Sequence, residues 1–147
     1  MKTKAFLALC LFISIGLTQV SAQNGKDGTG TVRFTQVWDG YWQPVYCNGA
    51  NVDNLTGTVT QHFVQIFKAG VFIKANARVT GEAVSENPPY EVFKVSEIDH
   101  ADGATTTTIW HFNLIGNFGT HYIGTMVWNW ETQEMWVDKA VCPSGKQ

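Results

Sequence analysis

Runs of β-branched and aromatic residues make up most of this chain, and short clusters of Gly, Pro, Asn and Asp separate them at regular intervals. This pattern is typical of an all-β domain, because such side chains pack well on a pleated surface and the separating residues favour tight turns. After the first 22 residues, no long stretch has a helical period. The sequence predicts strands over residues 30–38, 44–47, 56–67, 71–84, 90–98, 105–115, 120–130 and 134–141.

The predicted connections after residue 47 are short, which favours sequential antiparallel neighbours. Several predicted strands have about 10 residues, whereas ordinary strands have about 5 or 6. Long strands in sequential order favour a meander that closes on itself over a two-sheet sandwich. We therefore predict an all-β, antiparallel, up-and-down β-barrel of about eight strands.

Alternation assigns the two faces of only some strands. In the strand over 71–84, one face carries Val71, Ile73, Ala75, Ala77 and Val79, which predicts a half-buried strand. The strand over 56–67 is ambiguous, because two interleaved apolar sets compete for the inside: His62, Val64 and Ile66 against Val59, Phe63 and Phe67.

The first 22 residues have the pattern of a secretory signal peptide. Lys2 and Lys4 precede an apolar run of 13 residues, and Val20 and Ala22 provide small side chains before a cleavage point. The run is too short for a membrane span, which needs about 20 apolar residues. We expect a signal peptide over 1–22, a single domain over 23–147, and a secreted or periplasmic location.

Charge and composition exclude two classes of protein. Cleavage after Ala22 would remove Lys2 and Lys4 from ten basic residues and leave all twelve acidic ones, giving a net charge of −4. A nucleic-acid partner is not expected, because phosphate contacts need clustered Lys and Arg. With 44% apolar and 15% charged residues, the chain is also too apolar to be intrinsically disordered.

Cys47 and Cys142 are the two cysteines of the predicted mature chain. An even pair in an oxidising compartment predicts one disulfide, and closing this long loop would contribute about 4–5 kcal/mol in the chain-entropy model. In an up-and-down order the two cysteines lie at the same rim of the barrel. An intervening strand would, however, separate their Cα atoms by about 10 Å, which is too far for a disulfide. Either the segment before Pro44 is not an inserted strand, or the tail after Val141 crosses the rim.

The motifs Cys47-Asn48-Gly49 and Leu55-Thr56-Gly57, followed by a lone cysteine near the C-terminus, resemble a group of small secreted bacterial all-β proteins with no established activity. The resemblance spans Cys47 to Cys142. It implies a secreted, barrel-like module with an end-to-end disulfide, and it brings no catalytic residue with it. The chain departs from the pattern at Ala50, where an acidic residue is expected.

The predicted mature chain lacks the motifs of several enzyme classes. Its three serines lie outside any Gly-x-Ser-x-Gly elbow, a disulfide would occupy both thiols, and there is no phosphate loop or dinucleotide fingerprint. We therefore expect a binding or interaction protein rather than an enzyme, with no cofactor and no metal.

His111 and His121 flank one predicted hairpin, and its register decides whether they meet. A three-residue loop would place Asn113 opposite His121, with His111 diagonal to it at about 7–8 Å between Cα atoms. A two-residue loop would instead place His121 opposite Leu114 and His111 on the other face. The first register would allow the two histidines, together with Asn113, to hold a metal ion or a polar ligand.

Aromatic residues are more numerous than a core of this size needs. The segment from Trp38 to Trp42 has the composition of a turn, with Tyr41 inside it, and Trp128 lies in a later strand. Aromatic side chains at a barrel mouth suit a small apolar, aromatic or carbohydrate ligand. The predicted ligand contacts are Trp38, Tyr41, Trp42, His111, His121 and Trp128.

Three functions are compatible with these features. The first is a lipocalin-like carrier of a small ligand, which an open apolar interior would favour. The second is an oligomerising surface or structural protein, which an exposed apolar sheet face would favour. The third is a barrel enzyme that uses His111 or His121, which a buried pair of histidine and carboxylate would favour.

Overall fold

The structure is a computed structural model that describes residues 17–24 and 28–143. These residues form one sheet of eight strands in the order of the chain, and every neighbouring pair is antiparallel. The prediction of an all-β antiparallel fold is therefore confirmed. The strands are β1 (Leu17–Asn24), β2 (Gly30–Cys47), β3 (Ala50–Lys68), β4 (Val71–Ser85), β5 (Val92–Asp102), β6 (Thr107–Gly116), β7 (His121–Asn129) and β8 (Glu134–Val141).

The sheet curls without closing into a barrel within the described part of the chain. Its last strand, β8, comes close to β2, but no hydrogen-bonded ladder joins the two. The prediction of a closed barrel is therefore not confirmed. Curling gives the sheet two different faces: a core face, which carries Leu55, Phe93 and Leu114, and an outer face, which carries Asn76 and Arg78.

The two predicted strands over 30–38 and 44–47 form one long strand, β2. The register of β2 against β3 shifts between Trp38 and Tyr41, so Asp39 and Gly40 form a bulge. The predicted turn is therefore wrong at this point, because Asp and Gly interrupt the ladder without ending the strand. The bulge changes the alternation, so that Gln36 and Tyr41 are both buried.

The hydrophobic core lies at one end of the sheet, next to the disulfide, and we call this the closed end. The opposite rim, which carries Gly30, Phe72 and Trp130, is the open end. Alternation along each strand brings the core residues to the same face. The core comprises Tyr41, Val45, Leu55, Val59, Val79, Ala83, Phe93, Val95, Phe112, Leu114, Tyr122 and Met126.

The ambiguous strand, β3, places Val59 and Phe63 on the core face and exposes His62. In β4 the predicted alternation holds for Ala75, Ala77 and Val79, which are all buried. It fails nearer the open end, where Val71 and Ile73 are exposed. There the register of β3 against β4 shifts between Ile66 and Phe67, which breaks the alternation.

Cys47 and Cys142 form a disulfide with a Cα–Cα distance of 5.6 Å, which confirms the predicted pair. The distance is short because no described strand lies between the ends of β2 and β8. The segment before Pro44 belongs to the same strand as Cys47, and the described part of β1 pairs with β2 only from Gly30 to Gln36.

Residues 1–16 of the predicted signal peptide lie outside the described residues. The remaining six belong to β1, which pairs with β2 through Ala22 and Val32. Cleavage after Ala22 would remove most of β1 and leave β2 at an edge of the sheet. None of the described residues forms a helix with the length and apolarity needed to cross a bilayer.

Candidate functional site

Two carboxyl groups lie on the core face, where alternation places mostly apolar side chains. Glu97 and Asp99 occupy neighbouring core-face positions of β5, and they are only 6% and 9% exposed. Phe112 and Trp110 face them from β6. The Tyr41 hydroxyl donates a hydrogen bond to Oε2 of Glu97 over 3.1 Å. The acid pair is thus surrounded mainly by aromatic side chains.

One oxygen of this acid pair has no partner. Oδ1 of Asp99 is buried and makes no hydrogen bond. The other buried carboxyl groups of the described chain, Asp53 and Glu91, both accept hydrogen bonds. A buried polar atom without a partner costs free energy, so Asp99 is the unusual acid of this fold.

Burial and mutual repulsion favour the protonated forms of the pair. Burial raises the pKa of Asp99 to about 10, with a further contribution from the charge of Glu97. Burial also raises the pKa of Glu97. Every described Lys, Arg and His side chain is exposed, so no described basic side chain is buried beside the acids. The pair therefore retains a proton at neutral pH.

Two glutamines form a second buried polar pair on the core face. Nε2 of Gln36 donates to Oε1 of Gln61 over 2.6 Å, and both side chains are buried. Gln61 lies opposite Val79, which in turn lies opposite Glu97. Val79 thus separates the glutamine pair from the acid pair, and both pairs lie between the apolar core and the open end.

Small side chains line the core face between the acid pair and the open end. Ala75 and Ala77 lie in β4, and Ala101 lies opposite Ala75 in β5. Asp99 lies directly opposite Ala77. Because none of these alanines extends beyond its Cβ atom, the middle strands form a low floor at this point.

Aromatic pairs stand on both sides of the alanine floor. Phe34 and Phe63 stack across β2 and β3 with ring centroids 4.7 Å apart. Trp110 and Trp128 stack across β6 and β7 with centroids 6.4 Å apart and planes 8° from parallel. We call the floor, these two walls and the acid pair at the inner end the aromatic slot.

The aromatic slot is less covered than the core. Leu55, Phe93 and Leu114 in the closed end are all 0% exposed. The slot residues Phe34, Trp110 and Trp128 are only partly buried, although alternation directs them to the same face. The core face is therefore fully buried at the closed end, whereas nearer the open end the walls are partly exposed and the floor residues Ala75 and Ala77 are 9% and 4% exposed.

The predicted tryptophan and tyrosine contacts separate into different surroundings. Tyr41 and Trp128 lie on the core face, at the acid pair and in a wall of the slot. Trp38 is 42% exposed at the bulge, with its ring 6.3 Å from that of Tyr41. Trp42 is the next residue after Tyr41 in β2 and therefore lies on the opposite, outer face, where it is 50% exposed. The structure therefore does not bring these four side chains together.

The hairpin that carries His111 and His121 adopts neither of the two expected registers. His121 lies opposite Ile115, and His111 lies opposite Thr125. Both histidines are exposed on the outer face but are not diagonal neighbours, so they do not share a site. Nε2 of His121 is 2.6 Å from Oδ1 of Asn113.

The nearest histidine partner of His111 is His100 in β5, with ring centroids 5.7 Å apart. Their other neighbours are polar: Nδ1 of His100 is 2.6 Å from Oδ1 of Asn76, and Nδ1 of His111 is 3.0 Å from Oγ1 of Thr125. No group of three His, Cys, Asp or Glu side chains suited to a metal ion occurs among the described residues.

A cleft of about 160 Å³ lies at the closed end beside the disulfide. Oγ of Ser85 donates to Asp53 over 2.8 and 2.9 Å. Oε1 of Glu91 accepts the backbone N–H groups of Phe118 and Thr120. These partners hold the rim loops together, and the cleft is smaller than the roughly 300 Å³ of an ordinary ligand pocket.

The acid pair and the second tryptophan of the wall were not among the predicted site residues, although one signal in the sequence indicates the acids. In the predicted strand over 90–98 and just beyond it, Glu97 and Asp99 are in phase with Phe93 and Val95. Acidic residues that continue an apolar alternation lie on the buried face. Trp110 is a wall residue because of its neighbours in β7, and these can be identified only when the register of β6 against β7 is known.

Replacement of the partly unpartnered acid should change how stability depends on pH. The folded-state pKa of Asp99 is about 10, above the value of about 3.9 in an unfolded chain. The folded state therefore binds more protons between these values, and its stability falls as the pH rises from about 4 to about 10. The slope is at most about 1.4 kcal/mol per pH unit for one proton.

We expect Asp99→Asn to flatten this slope and to be about 1–2 kcal/mol more stable than the unchanged protein at pH 8. Urea unfolding at pH 5, 6.5 and 8 measures the effect. Asp138→Asn is the matched control, because Asp138 is exposed. A slope that is equal in the unchanged protein and in Asp99→Asn would contradict the prediction.

No family model, no curated protein and no solved structure matches this chain. The resemblance carried by Cys47-Asn48-Gly49 and Leu55-Thr56-Gly57 therefore stays a prediction.

Proposed function

We propose that this protein is a secreted binding module that takes a small, flat ligand into the aromatic slot. The observation that carries the proposal is a floor of alanines between two aromatic walls, of which Phe34, Trp110 and Trp128 are partly exposed, with the unpartnered Oδ1 of Asp99 at its inner end. A core that served only stability would fill the floor with larger side chains and would not bury an unpartnered acid.

The two parts of the slot would have different roles in binding. The walls formed by Phe34 with Phe63 and by Trp110 with Trp128 offer rigid apolar faces, which give a large contact area at low cost in side-chain entropy. The acid pair offers hydrogen-bonding groups that orient a ligand. A mostly apolar site with a few polar groups at one end is the usual design of a small-molecule site.

The proposal predicts that filling the floor blocks ligand binding without unfolding the protein. In Ala75→Leu the added side chain would occupy the space between the walls. We expect the thermal shift and the tryptophan fluorescence change produced by a bound compound to fall at least tenfold in Ala75→Leu, whereas its melting temperature stays close to that of the unchanged protein. The compounds are a panel of aromatic amines, aromatic alcohols, fatty acids and sugars.

Lys74→Leu is the matched control, since Lys74 precedes Ala75 in β4 and is exposed. This variant should bind every compound as the unchanged protein does. Strong destabilisation by Ala75→Leu would mean that the floor is packed, and it would contradict the proposal. Equal binding by the two variants would also contradict it, and in that case the alternative of an oligomerising structural protein would be favoured.

A further inference from the structure

We infer that the ligand of the aromatic slot is an organic amine with a flat apolar body, whose ammonium group contacts the carboxyl groups of Asp99 and Glu97. This inference rests on the proposed function and names the chemical class of the ligand. Three independent features of the described residues support it: the missing hydrogen-bond partner, the missing positive charge and the aromatic surroundings.

The first feature, the unpartnered Oδ1 of Asp99, indicates that the ligand supplies a hydrogen-bond donor. Oδ1 of Asp99 is an acceptor in the carboxylate, and it is also an acceptor when the proton lies on the oxygen that faces Glu97. Two carboxyl groups on neighbouring core-face positions cannot both be ionised without a compensating donor or charge. A ligand that completes the site must therefore supply N–H or O–H groups.

The second feature favours a cation over a neutral donor. The acid pair is buried, and all described basic side chains are exposed. In contrast, the buried carboxyl group of Glu91 accepts two backbone N–H groups and is satisfied within the fold. A buried carboxylate without such partners is stabilised most strongly by a charged donor.

The third feature favours an ammonium group attached to an apolar body. Trp110 lies directly opposite Asp99, and Phe63 lies opposite Ala77, the floor residue next to this acid. Aromatic faces attract a cation that is desolvated above them. The same faces stack on a flat apolar body, so the slot suits both parts of an arylalkyl amine. A carbohydrate would instead need many polar partners, whereas the floor is alanine.

The titratable groups around the site determine the pH dependence. Among the described residues, the titratable groups that face Asp99 are Glu97 from the same strand and Tyr41 from β2, while β4 and β6 present Ala77 and Trp110. Burial raises the pKa of Asp99 to about 10, so an ammonium ligand must displace a proton from the pair. An alkylammonium itself stays charged until about pH 10. The affinity for an amine should therefore rise from pH 6 to pH 9.

Three compounds with the same ring and chain test the class of ligand: phenethylamine, 2-phenylethanol and 3-phenylpropionate. Isothermal titration of the unchanged protein should give an affinity for phenethylamine at least tenfold above that for 2-phenylethanol, with 3-phenylpropionate weaker than both. Titration of the amine in two buffers of different ionisation enthalpy should show release of a proton, and the affinity should rise at least tenfold between pH 6 and pH 9.

The variant Asp99→Asn tests the contribution of the carboxyl charge separately from that of the aromatic walls. We expect this variant to lose at least tenfold in affinity for phenethylamine and to keep its affinity for 2-phenylethanol within about threefold. It should also lose the pH dependence. Asp138→Asn, which changes an exposed carboxylate, is the matched control and should bind as the unchanged protein does.

The failure of this inference differs from the failure of the proposed function. Absence of phenethylamine binding, or equal affinities for the amine and the alcohol, would overturn the amine as the ligand class. If Ala75→Leu then still blocks binding of another compound in the panel, the slot is a site for a neutral ligand and the proposed function stands. If no compound depends on Ala75, both are wrong.

Discussion

Phe93→Ala should destabilise the protein by about 3–5 kcal/mol. The side chain of Phe93 is 0% exposed, and its ring stacks on Tyr122 with centroids 5.5 Å apart. It lies opposite Ala83 in β4 and Gly116 in β6. Because both of these neighbours are small, they cannot fill the space that the ring would leave. The loss therefore combines the transfer free energy of the ring with that of a cavity.

Urea unfolding followed by circular dichroism measures this loss, and the matched control is Val92→Ala. Val92 is adjacent in β5 but lies on the outer face, where it is 36% exposed. The control should cost less than about 1 kcal/mol. If both variants lost similar amounts, the core face of β5 would be assigned to the wrong side. A loss below about 1.5 kcal/mol for Phe93→Ala would mean that the closed end is not tightly packed.

The strands could be predicted from the sequence because β-branched and aromatic runs alternate with turn residues over most of the chain. Seven strands of the structure overlap predicted ones, and β4 matches its predicted range to within one residue. The disulfide could also be predicted, because only Cys47 and Cys142 follow the signal pattern. Both predictions rest on local composition, which needs no knowledge of the register.

The features that depend on the register could not be predicted. Asp39 and Gly40 are compatible with a turn and also with a bulge. Only the pairing of β2 with β3 distinguishes the two. The positions of His111 and His121 depend on the length of one loop, which pairing of Ile115 with His121 fixes. A slip of one residue in the pairing of two strands moves every side chain of one strand to the opposite face. The sequence alone is therefore compatible with either arrangement.

The candidate site is hard to predict from the sequence for a related reason. Histidines and aromatic residues in expected loops are the conspicuous features of the sequence, whereas the acid pair lies within an alternating strand. Glu97 and Asp99 are ordinary charged residues until their phase with Phe93 and Val95 is considered. The floor of alanines has no signal of its own, since Ala75 and Ala77 become a floor only when aromatic side chains stand on the neighbouring strands.

Loss of the disulfide in Cys142→Ser should destabilise the protein by about 2–5 kcal/mol and lower its melting temperature by roughly 10–20 °C. The two half-cystines are 95 residues apart, so breaking the bridge greatly increases the freedom of the unfolded chain. The bridge also joins β8 to β2, which share no ladder among the described strands. Because most side chains of β8 are exposed, its attachment depends on β7 and on this bridge.

Thermal unfolding under oxidising conditions measures the overall effect, and hydrogen exchange locates it. In Cys142→Ser, amides of β8 should exchange faster at low temperature, while those of β4 and β5 should stay protected because the core at Leu55, Val79 and Phe93 is intact. The double variant Cys47→Ser with Cys142→Ser is the control for effects of a free thiol, and it should match the single variant. An unchanged melting temperature would show that the bridge does not hold the folded sheet. Equal loss of protection in every strand would show that β8 is an integral part of the core.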